Sequence, residues 1–134
     1  MTLAKLCPCG SGATEPACCG PLLAGDARAT TALALMRSRY TAYVRGAIDY
    51  LIATHAPEHR TSVDRAEITK WTRTTLWMGL EIVATEAGGE RDATGIVEFV
   101  ASGVTRSKPF RQHERSRFRR DSDGAWLYVD GSVE

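Results

Sequence analysis

Four cysteines fall between positions 7 and 19, as Cys7-Pro8-Cys9 and Cys18-Cys19, with eight residues between the pairs. Thiolates are the ligands zinc prefers, and four of them arranged as a tetrahedron close a structural site. Gly10 and Gly12 flank Ser11 in a loop able to bend tightly and aim backbone N–H groups at sulfur. Two other chemistries compete. Two disulfides would suit a secreted chain, which the context argues against, and a Cys18–Cys19 bridge would be strained; a redox pair at Cys7 and Cys9 lacks the usual two-residue gap. One zinc ion held by Cys7, Cys9, Cys18 and Cys19 is the favoured expectation. With four protein ligands it has no open position, so the metal would be structural.

Carboxylates are the second group able to do chemistry. Glu98 lies in the strand-like run Ile96-Val97-Glu98-Phe99-Val100-Ala101, and Glu114 in the alternating run from Phe110 to Arg120. An unpaired buried charge is costly, so each carboxylate must stand at the rim of a cavity or be paired. In a cavity, Glu98 and Glu114 would serve as general acid and base if apolar walls raised one pKa, with Tyr40, Tyr128 or Ser116 orienting a substrate. The alternative is a pair of ion pairs with Arg37 and Arg39 that only fix register. His55 and His59 have the four-residue interval of a helical metal pair. Pro57 between them breaks that geometry, so both read as loop residues.

The elements that must position these groups are read from periodicity. Leu33, Met36, Tyr40, Tyr43 or Val44, Ala47 and Leu51 recur at helical spacing, which predicts an amphipathic helix within 27–51, capped by Asp26, with Arg37, Arg39, Arg45 and Asp49 off its apolar face. A second helical region spans 62–76, with Ser62 as cap and Asp64 near the first turn. Strands come next over 77–84, around Phe99, over 110–120 and over 125–130, joined by turns at 87–92 and 121–124. In the third strand Phe110, Gln112, Glu114, Ser116 and Phe118 share one side, while Arg111, His113, Arg115, Arg117 and Arg119 share the other. Two aromatic anchors around three polar residues suit a pocket wall. The candidate pocket is therefore Arg37, Tyr40, Glu98, Gln112, Glu114, Ser116, Trp126 and Tyr128.

At 134 residues the chain has room for one domain and a small appendage, divided here as a knuckle over 1–24 and a domain over 25–134. Seventeen basic residues against sixteen acidic ones give no global pull toward nucleic acid. The arginine side of the third strand reads as a solvated face that discourages edge pairing. No apolar run is long enough to cross a membrane, and the N-terminal stretch lacks the apolar core of a signal peptide. The expectation is a cytoplasmic protein with reduced thiols.

Two resemblances sharpen this. Cys7-Pro8-Cys9-Gly10-Ser11-Gly12 followed by Cys18-Cys19-Gly20 is similar to the SEC-C zinc motif, the C-terminal tail of the bacterial preprotein-translocating ATPase, where it holds zinc and docks a protein. The spacer Ala13-Thr14-Glu15-Pro16-Ala17 lacks the basic and aromatic residues of most motif members. Met36-Arg37-Ser38-Arg39-Tyr40, Gly95-Ile96-Val97-Glu98-Phe99, His113-Glu114-Arg115-Ser116-Arg117-Phe118 and Trp126-Leu127-Tyr128-Val129-Asp130-Gly131 look like the landmarks of the YchJ-like bacterial family. Many of its members carry a second cysteine motif after the point where this sequence stops.

The resemblance implies an α+β fold: an NTF2-like cone with helices packed on a curved antiparallel sheet, preceded by a small zinc knuckle. The function expected is a non-catalytic binding or adaptor protein whose conical pocket takes a small molecule or a peptide. An enzyme using Glu98 and Glu114 is the alternative. A protein or peptide partner and a homodimer paired through the sheet are compatible with this reading; a nucleic-acid role is disfavoured.

Overall fold

A computed structural model describes residues 5–134, with the side chain of Ser62 outside the described set. A 3-10 turn (Glu15–Ala17) and helix α1 (Gly20–Ala24) follow the first cysteines. Helices α2 (Ala32–Arg45) and α3 (Ile48–Ala53), a 3-10 segment (Pro57–Ser62) and helix α4 (Arg65–Thr74) come next. Strands β1 (Thr75–Ala87), β2 (Thr94–Thr105), β3 (Lys108–Arg120) and β4 (Trp126–Val133) complete the order.

The first expected helix is two. Thr31, not Asp26, caps α2, its hydroxyl accepting from the Ala34 N–H at 3.0 Å. Gly46 ends α2 at φ 71°, in the left-handed region that a residue with a Cβ enters only at a cost. The chain then starts α3 at Ile48. Asp64 caps α4, its carboxylate accepting from the Glu67 N–H at 3.1 Å.

The strands form one antiparallel sheet in the order β1-β2-β3-β4. This corrects the cone. A meander in that order leaves β1 and β4 at opposite edges, and closing it would require them to pair, which they do not. The sheet is open rather than curled shut. β4 is also short, pairing only with the Glu114–Arg120 half of β3.

Alternation holds in β3, where Ser116 and Phe118 are fully buried and Arg117 is exposed. It fails in β1. Register shifts between Trp77 and Gly79 and between Ile82 and Ala84 insert unpaired residues. Each such bulge reverses the parity of the residues beyond it. Ala84 therefore lies opposite Glu98, and Thr85 opposite Val97, the reverse of simple alternation.

The core lies between α2 and one face of the sheet. Leu35, Met36 and Tyr40 pack with Val97, Phe99, Ala101, Phe118 and Trp126, and Cys7, Cys9 and Cys19 belong to the same cluster. Ala42, Ile48 and Leu51 make a smaller cluster with Tyr43 and Ile68. Each fully buried aliphatic side chain contributes about 2 kcal/mol by area. Among the described residues no helix is long and apolar enough to cross a membrane.

Candidate functional site

The knuckle is built from backbone. The Cys7 N–H donates to Ala13 O at 2.8 Å, and Leu6 and Thr14 bridge as a short antiparallel pair. Folded back in this way, the loop brings the Cys7 and Cys9 sulfurs against those of Cys18 and Cys19. All four Sγ atoms lie within 4.8 Å of one another. A tetrahedral zinc with Zn–S bonds of about 2.3 Å requires S···S edges of about 3.8 Å. The edges Cys9–Cys18 and Cys18–Cys19 measure 3.6 and 3.8 Å. The residues fit the ion.

The thiols also call for a cation electrostatically. Burial raises the Cys7 thiol pKa, but the Cys9 backbone N–H and the Thr41 hydroxyl outweigh it and bring Cys7 down to about 7. Burial pushes Cys18 and Cys19 up, and neighbouring cysteines add to the rise for both. One thiolate forms readily and repels the next. A divalent metal removes that conflict by binding all four in deprotonated form.

Side chains of α2 and of the loop itself surround the cluster. Thr41 Oγ1 on α2 lies 3.6 Å from Cys7 Sγ, and Ser11 Oγ lies 3.2 Å from Cys18 Sγ. Arg37 Nη1 donates to Cys9 O at 2.6 Å. Arg45 clasps Glu15, its Nη2 at 2.5 Å from Oε1. The knuckle is thus bonded to one face of α2 and shares the main hydrophobic cluster.

Beyond α2 lies a cavity of about 350 Å³, walled by α2, α3, α4 and the sheet face that carries Phe99, Gln112, Glu114 and Tyr128. Four residues of the sequence-derived pocket line it: Tyr40, Gln112, Glu114 and Tyr128. The other four are elsewhere. Arg37 serves the knuckle. Ser116 is buried in the sheet, its hydroxyl donating to Glu114 Oε2 at 3.1 Å. Trp126 is a core residue under the Arg120 guanidinium, 4.5 Å from its ring centre.

Glu98 faces the opposite side of the sheet, where its oxygens meet His113 Nε2 at 2.7 Å and Arg115 Nη1 at 3.4 Å. Glu98 pairs with Arg115 and its neighbour Phe99 with Glu114, so the two glutamates stand on opposite faces. They cannot act on one substrate in this cavity. Nor does either pair with Arg37 or Arg39.

Several cavity residues were not found from sequence. Arg39, expected off the apolar face, is 5% exposed. It donates through Nη1 to Leu51 O at 2.8 Å and Thr54 Oγ1 at 2.6 Å, and its Cζ sits 4.6 Å above the Tyr128 ring. Burial lowers its pKa, and the Tyr128 hydroxyl is pushed up to about 12 by burial and by the Glu114 carboxylate. Trp71 and Trp77 meet edge to face at 5.0 Å along one wall, with Tyr43 against both. Tyr43, on the apolar face of the helix expected within 27–51, was the advance sign of this wall. His55, Asp64 and Glu67 also border the cavity. His55 is bridged to Tyr128 of β4, and burial, reinforced by Arg39, lowers its pKa.

On the outer face the arginine stripe is largely matched by acids. Arg115 pairs with Glu86 and Glu98, Arg117 with Asp130, and Arg119 with Glu58.

Comparison with known proteins gives consistent results. The family model for the middle NTF2-like domain of YchJ matches residues 31–131. A UPF0225 protein of Chromobacterium violaceum is 50% identical over 128 residues, covering 95% of this chain and 92% of the relative. A UPF0225 protein of Geobacter sulfurreducens is 43% identical over 129 residues, covering 96% and 80%. The solution structure of a SEC-C motif containing protein from Rhodopseudomonas palustris superposes with a TM-score of 0.85 at 36% identity, covering 96% of this chain and 98% of that one. The crystal structure of a SEC-C motif containing protein from Psychrobacter arcticus gives 0.80 at 31% identity, covering 96% and 82%.

Proposed function

The chain belongs to the YchJ-like UPF0225 family, with a SEC-C motif beside an NTF2-like domain, and on that premise we propose that it is a non-catalytic zinc-containing binding or adaptor protein. The observation that carries this reading is the closed set of four sulfurs. Cys7, Cys9, Cys18 and Cys19 surround one position at zinc–thiolate spacing and leave no ligand place for substrate. The metal would hold the loop to α2 and supply most of the folding energy of a segment too short to bury a core of its own.

The binding half of the proposal rests on the cavity. A small molecule or the end of a peptide is its natural occupant, because its wall is mostly aromatic with a few convergent polar groups. Free thiols in so tight a cluster favour a reducing cytoplasm. Nucleic acid is disfavoured, since three arginines of the β3 stripe already hold carboxylates. The test is native mass spectrometry of protein purified without chelator or added metal. One zinc per chain supports the knuckle, and an adduct released on denaturation identifies the cavity's ligand. A metal-free chain lighter by four protons means two disulfides and removes the proposal's basis.

A further inference from the structure

Two opposite charges line the same cavity without meeting. Arg39 has no carboxylate within ion-pair distance among the described residues, and its two hydrogen bonds both leave from Nη1 to neutral oxygens. Nε and Nη2 donate to nothing in the described residues. Among the described residues Glu114 accepts only from neutral groups, Ser116 Oγ at 3.1 Å and Gln112 Nε2 at 3.4 Å. Gly131 lets that carboxylate lie across β4, since a Cβ there would stand 2.8 Å from Glu114 Cδ. A buried guanidinium and a half-buried carboxylate that fail to pair are costly unless a third party satisfies both.

We propose that the cavity binds a small zwitterion with an aromatic body, of the chemical class of an aromatic amino acid. This rests on the binding reading above and names the class of molecule. The ligand's carboxylate takes the free edge of Arg39, and its ammonium takes Glu114. Its ring lies against the wall of Tyr43, Trp71 and Trp77. A volume of about 350 Å³ limits the body to one or two rings. Asp64 and Glu67 border the cavity as well. Their charge disfavours a ligand that is purely anionic and tolerates one that brings its own ammonium.

Titration of the zinc-loaded protein with four probes separates the cases, read by calorimetry and by quenching of tryptophan fluorescence. The probes are L-phenylalanine, 3-phenylpropionate (no ammonium), phenethylamine (no carboxylate) and 2-phenylethanol (neither). The zwitterion should bind at least about tenfold more tightly than any of the other three. Glu114→Gln should abolish its advantage over 3-phenylpropionate, whose own binding should hold or tighten as a negative charge leaves the cavity. Arg39→Gln should abolish its advantage over phenethylamine. Where Arg39→Gln fails to fold, the Glu114→Gln result decides. Equal binding of all four, or preference for a singly charged probe, overturns the zwitterion and leaves the binding cavity standing. Failure of all four to bind overturns the zwitterion, and the native-mass adduct then decides the binding cavity.

Discussion

At the residue scale, the site depends on hydroxyls and charges whose contacts a sequence reader does not see. Thr41 is fully buried and meets Cys7 Sγ from the middle of α2. Groups that hydrogen-bond a metal ligand typically carry 10- to 100-fold of metal affinity. Thr41→Val keeps the shape and removes the hydroxyl, so zinc affinity measured by chelator competition should fall by about tenfold or more with the fold intact. His55 supplies a pH signature. Its folded pKa lies below the ordinary 6.5, so between the two values the unfolded chain binds the proton more readily. Stability is full above about pH 6.5 and declines as pH falls toward the folded pKa. His55→Asn should remove that component in urea titrations across pH, leaving the acid losses of Glu15, Glu58 and Asp130 in the carboxylate range. The four-cysteine cluster was legible because four thiols at that spacing admit few arrangements. Arg39 was not, since its burial depends on Leu51 and Tyr128, which only the fold brings near.

Elements were legible in kind and misjudged where backbone conformation intervenes. β3 declared its two faces by strict alternation, and its partition survives in the structure. The helix expected to run to Leu51 breaks at Gly46, and the parity of β1 is reversed by bulges that no side-chain pattern encodes. Gly46→Ala tests the break. The added Cβ would find only Thr72 Oγ1 at 4.0 Å, so the cost is conformational, about 1 kcal/mol in urea denaturation. Leu35 on α2 is 2% exposed and lies in the cluster that joins the sheet to the knuckle cysteines. Leu35→Ala should cost about 3 kcal/mol, in the range of buried leucine truncations. The outer pairing of Glu98 with His113 follows from the same alternation that put His113 outside. Applying β3's parity across the strand pair would have removed Glu98 from the pocket in advance.

For the whole molecule, the central claim is that the cysteine knuckle and the sheet domain form one cooperative core. Cys7, Cys9 and Cys19 pack in the same cluster as Leu35, Val97 and Phe118, and α2 contributes to both. The three tryptophans, Trp71, Trp77 and Trp126, all lie outside the knuckle and report on the domain alone. The deciding measurement is thermal unfolding followed by tryptophan fluorescence, before and after zinc is stripped with a strong chelator under reducing conditions. With a shared core, loss of one zinc per chain lowers the domain's Tm by about 10 °C or more, and restored zinc reverses it. An unchanged tryptophan transition after the metal has left would show an appendage that folds independently of the sheet, and would contradict the shared core.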